Sequence, residues 1–82
     1  MSRYFFHLHD GVPSLDHKGI ELLDFAAARE EAACASGELL RDRTRFSFRS
    51  GEPWRFWVTD GPGGAGKTLL TLQFIATEPL SV

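Results

Sequence analysis

One alanine-rich stretch with a helical stripe, flanked on both sides by segments that alternate apolar and polar residues, limits this chain more than any other feature. From Phe25 to about Arg43 the residues are mostly Ala, Glu, Leu and Arg, all good helix formers, and Phe25, Ala28, Ala32, Ala35 and Leu39 recur at helical spacing. Before this stretch, Arg3 to His9 alternates with a period of two: Tyr4, Phe6 and Leu8 fall on one face, Phe5, His7 and His9 on the other. A shorter segment around Gly19 to Leu23 does the same with Ile20 and Leu22. After it, Trp54, Phe56 and Val58 alternate with Arg55, Trp57 and Thr59, and Thr68 to Ile75 places Leu70, Leu72 and Phe74 together. The pattern predicts ββαββ: an α+β domain with a four-stranded, mainly antiparallel sheet and one helix packed on one face. One helix covers one side only, so the purer apolar faces belong under it.

Local chemistry marks the boundaries. Asp10-Gly11 and Pro13-Ser14 are turn residues. Asp24 is placed to cap the helix by accepting an N–H of its first turn. Gly37 weakens the helix by about 1 kcal/mol relative to alanine. Glu30 and Glu31 early and Arg41, Arg43 and Arg45 late suit the helix dipole. Residues 46 to 53 read as a loop turning at Ser50-Gly51, and Glu78-Pro79 begins a tail. With 82 residues the chain is read as a single domain. A domain this small buries only about 60–65% of its unfolded surface and often gains core by pairing.

The net charge of -2 argues against a general affinity for nucleic acid or anionic lipid. Cys34, the single cysteine, permits no internal disulfide and no cysteine-rich zinc site, and is expected to be packing filler. No apolar run reaches the ~20 residues of a membrane span. The segment Met1 to Phe6, soon followed by His7 and Asp10, is too short and polar for a signal peptide, so a cytoplasmic location is expected.

Taken in order, Tyr4-Phe5-Phe6-His7, Asp10-Gly11, Gly19-Ile20-Glu21-Leu22, Asp24 with its alanine-rich helix, and Trp57-Val58-Thr59-Asp60 resemble a small bacterial family of unknown function, frequent in alphaproteobacteria. The resemblance spans nearly the whole chain. It implies the fold and no activity. This chain departs from the pattern after Asp60, where its turn is longer and richer in glycine.

That turn holds the one strong local motif. Gly61-Pro62-Gly63-Gly64-Ala65-Gly66-Lys67-Thr68 fits the phosphate-loop pattern in full, with Gly61 and Gly66 freeing backbone N–H groups, Lys67 for the outer phosphates and Thr68 for Mg²⁺. Its setting does not fit. The strand before it alternates as a half-exposed strand does, where the motif needs a buried parallel one. The residues after Thr68 favour a strand over a helix, and no later apolar strand ends in an acid to complete a Mg²⁺ site. The expectation is a plain hairpin connection, with nucleotide or phosphate binding through Gly61, Gly66, Lys67 and Thr68 as the alternative.

Other clusters carry less. His7 and His9 share a strand face, near Asp10, Asp16 and His17, but spacing fixes no third ligand, so no metal is expected. Arg41, Arg43, Arg45 and Arg49 are read as a solvated helix end. The second sheet face is different: Phe5, Trp57, Leu69 and Ile75, beside His7 and Arg55, put more apolar surface there than chance leaves wet, and Arg with Trp is typical of interface anchors; the alternative is that the loop over residues 46 to 53 or the C-terminal tail folds over this face. The expected function is therefore a non-catalytic module that needs no cofactor and acts by protein association, with a homodimer through the helix-free sheet face as its simplest form.

Overall fold

In the computed structural model the described residues are 1–43 and 53–75. The loop expected over residues 46 to 53 with its Ser50-Gly51 turn, Arg45 and Arg49, and the tail at Glu78-Pro79 lie outside them, apart from Pro53. Five strands and one helix follow one another: β1 Ser2–His9, β2 Pro13–Ser14, β3 Ile20–Leu22, α1 Phe25–Arg43, β4 Trp54–Thr59 and β5 Thr68–Phe74. All pairings are antiparallel, in the order β2-β1-β4-β5, with β3 also on β1. The outer edge of β1 is thus shared: β2 takes its end at Leu8 and His9, β3 its start at Ser2 to Tyr4. The fold class is the predicted α+β. The fifth strand is the two-residue β2, at Pro13-Ser14, where the residues read as turn chemistry alone.

The helix starts where Asp24 predicts: its carboxylate accepts the Ala27 N–H at 3.0 Å. Ala28 and Ala32 are fully buried, since only a methyl group fits between helix backbone and sheet. They pack with Tyr4, Phe56 and Val58, and Phe6, Leu8, Leu22, Leu70, Leu72 and Phe74 close around that centre. Ile20, expected beneath the helix, is 45% exposed, because β3 is a three-residue edge strand with little above it.

The core thins across the sheet. On β4, Trp54, Phe56 and Val58 are buried; on β5, their register partners Phe74, Leu72 and Leu70 are only half-buried. No strand pairs with the outer side of β5 among the described residues.

Candidate functional site

The side of the sheet away from the helix divides into a covered half and an open half. Phe5 and His7 of β1 lie in the covered half, beneath the connection from β2 to β3. That connection is held by Asp16. Its carboxylate accepts the backbone N–H of Lys18 and Gly19 at 3.0 and 3.1 Å, and that of Phe6 on β1 at 3.1 Å. Gly19 crosses so close to Phe5, at φ +72°, that a Cβ there would stand 2.8 Å from the ring. Arg3 fastens the same end, donating to the Lys18 carbonyl at 2.8 Å and to Glu21 at 3.1 Å.

Beneath Asp16 runs a closed polar chain. The Asp16 backbone N–H donates to His7 Nδ1 at 3.0 Å. A backbone amide only donates, so Nδ1 is the bare nitrogen and Nε2 carries the proton. Nε2 then donates to Thr59 Oγ1 at 2.8 Å, and the Thr59 hydroxyl donates to the Gly61 carbonyl at 2.7 Å. His7 and Thr59 are wholly buried. Burial pushes the His7 imidazole below the ordinary histidine value; the Asp16 charge pulls the other way and His17 adds to the lowering. For Asp16, burial works to raise the carboxyl, but the bonds from Gly19, Phe6 and Lys18 and the charge of His7 outweigh it and hold it low. The chain is satisfied at every atom and closed to solvent. It braces two loops.

The glycine-rich connection lies against the same brace. Gly63 donates its N–H to the Asp16 carbonyl at 2.7 Å and packs on the His17 ring. A short 3-10 turn, Pro62–Gly64, then leads into β5, which is a strand and not a helix. Two further loop amides are engaged within the chain: Ala65 N–H with the Pro62 carbonyl at 3.1 Å, and Lys67 N–H with Asp60 Oδ1 at 2.6 Å. Asp60 puts a carboxylate where the motif would seat an anion. Gly61 and Gly66 answer to packing: a Cβ on Gly61 would meet the Ala65 carbonyl at 2.7 Å, and one on Gly66 would meet Asp60 Oδ1 at 2.2 Å. Lys67 and Thr68 are exposed, and Thr68 pairs with Thr59 in the ladder.

The open half holds Arg55 and Trp57 of β4. The Arg55 guanidinium sits 4.4 Å from the centre of the Trp57 ring, and the His7 ring centre lies 5.2 Å from it. Exposed Thr71 and Gln73 of β5 stand beside them in register. At this end a shallow cleft of about 450 Å³ is lined by His9, Gly11, Pro53, Trp54, Arg55 and Gln73. Leu69, grouped with this face from the sequence, is the extra residue at an irregularity where Val58 pairs with Leu70 but Thr59 pairs with Thr68, and it packs against the core. So of the five residues expected at an interface, Arg55 is exposed, Trp57 and Leu69 are half-buried, and Phe5 and His7 are covered within the chain. No three His, Cys, Asp or Glu side chains converge as metal ligands among the described residues. Cys34 is exposed on the helix rather than packed. No helix among the described residues is long and apolar enough to cross a membrane.

The family model described as Domain of unknown function (DUF6894) matches residues 3–75, from β1 to just past β5. The chain belongs to this family. The match covers every described element, so the braced loop and the glycine-rich connection both fall inside the DUF6894 domain. Neither the curated proteins nor the solved structures hold a detectable match to the chain.

Proposed function

We propose that this DUF6894 chain is a non-catalytic module that acts by protein association, with a second copy of itself as first partner, through the β4–β5 side of the sheet. The observation that carries the reading is the gradient in the core. Trp54, Phe56 and Val58 are buried, yet Leu70, Leu72 and Phe74 beside them stay half-open, so among the described residues the sheet stops before its apolar face is covered. The Arg55–Trp57 pair on the other face, an aromatic with a stacked cation, is the competing contact centre, one strand inside β5. The covering of Phe5 and His7 moves the contact away from β1 and toward β5. Absence of catalysis is supported by the closed His7–Thr59 chain, whose groups reach no solvent. Sedimentation equilibrium from micromolar to millimolar chain tests the reading: the mass rises from the 9.2 kDa of one chain toward twice that value. A single-chain mass at every concentration would overturn it.

A further inference from the structure

We infer that two copies join edge to edge along β5, antiparallel, with the two-fold axis at Thr71. The inference rests on the self-association reading and names where and in what register it occurs. Hydrogen-bond alternation decides which groups of β5 are available. The Phe6 N–H points to Asp16, away from β4. In an antiparallel ladder the bonding residues alternate, so Phe5, His7 and His9 bond to β4 through Thr59, Trp57 and Arg55. Trp54, Phe56 and Val58 then bond the other way, to Phe74, Leu72 and Leu70. Thr71 and Gln73 are left with N–H and C=O directed outward, along the edge where no strand pairs among the described residues.

That edge is built unlike the opposite one. The β1 edge is broken into strands of two and three residues and carries Pro13, the usual devices against edge pairing. β5 runs for seven residues with no proline and no charged side chain. Two copies meeting there are self-complementary. With Thr71 opposite itself, the two threonines exchange both backbone bonds. Leu70 falls beside Leu72 of the second copy on the helix side, where side chains of a non-bonded pair approach most closely. Those leucines are the half-open ones, so the join completes the apolar layer that each chain leaves unfinished. No like charges meet within the pairing. Both helices lie on one side of the continuous sheet, and the guarded β1 edges stop growth at two copies.

Three variants test this, each made with Cys34→Ser, which removes the exposed thiol on the helix. Thr71→Cys places two thiols on the axis at a Cα separation of about 5.5 Å, within disulfide reach. It crosslinks to a covalent dimer under mild oxidation. Thr71→Lys sets two cations opposite one another, and Thr71→Pro removes an outward N–H that bonds to nothing within the β4–β5 ladder. Each weakens dimerisation at least tenfold in sedimentation while the far-ultraviolet dichroism of the monomer is kept. Trp57→Ala, on the face one strand inside, leaves the dimer in place. A wild-type dimer that survives Thr71→Lys, yields no Thr71→Cys crosslink and is broken by Trp57→Ala would overturn edge pairing and leave association standing. A wild-type monomer at millimolar concentration would remove both.

Discussion

Asp16 ties β1, the connection from β2 to β3 and the glycine-rich loop to one another. Three backbone N–H groups end on its carboxylate, its own N–H holds His7, and its carbonyl holds the glycine-rich loop. Asp16→Ala strands those donors, and urea denaturation is expected to register a loss of about 2 kcal/mol or more. His7 makes the brace sensitive to pH. Its folded-state value is lowered by burial, so above the ordinary 6.5 both folded and unfolded chains are neutral there and stability is full. As pH falls below 6.5 the unfolded chain takes up a proton that the folded one resists, and stability declines until the folded value is reached. Denaturation midpoints between pH 7.5 and 5 measure this slope, and His7→Gln, which retains a donor and an acceptor, flattens it. Asp16, held low, adds stability that disappears only at more acid pH, below its ordinary 3.8. In the glycine-rich loop, Gly66→Ala puts a methyl group onto Asp60 at φ +79° and costs about 2 kcal/mol, whereas Lys67→Ala, which keeps its bonded N–H, stays within about 0.5 kcal/mol. Equal effects from the two would mean that the lysine side chain has a role the geometry denies it.

At the scale of elements, the helix and the long strands were legible because their signals are local. Asp24, the alanine stripe and the period-two runs place α1, β1, β4 and β5 within a residue of where they lie. Gly37, read as a weakness, sits inside a continuous helix with open space around its missing side chain. Gly37→Ala should therefore raise stability by about 0.5–1 kcal/mol, while Ala32→Leu, at the fully buried contact with the sheet, should lower it by about 1–3 kcal/mol. Thermal melts of both variants check the pair. The cover over Phe5 and His7 was not legible. Alternation assigns the two side chains to the helix-free face but does not reveal that Asp16 reaches back ten residues to the Phe6 N–H. One clue was present: an aspartate followed by His17, Lys18 and Gly19 has the form of a turn closed by its own carboxylate. The phosphate-loop pattern shows the opposite difficulty. Its residues fit, but β5 continues as a strand because Thr71, Phe74 and the alternating leucines favour the sheet.

For the molecule as a whole, strand order and burial gradient carry the functional account, and neither is written in any single segment. β1 sits beside β4 through the register from Phe5–Thr59 to His9–Arg55, which leaves β5 outermost among the described strands with its leucines half-open. A guarded edge on one side and an uncharged seven-residue edge on the other suit a closed pair of chains. Amide hydrogen exchange along β5, read residue by residue by NMR at low and high chain concentration, tests this most directly. Leu70, Leu72 and Phe74 bond to β4 and exchange slowly at both concentrations. Thr71 and Gln73 are predicted to pass from fast to slow exchange as concentration rises. Thr71 and Gln73 amides that exchange freely at every concentration, beside slow neighbours, would mean that the edge stays solvated and the pairing does not form.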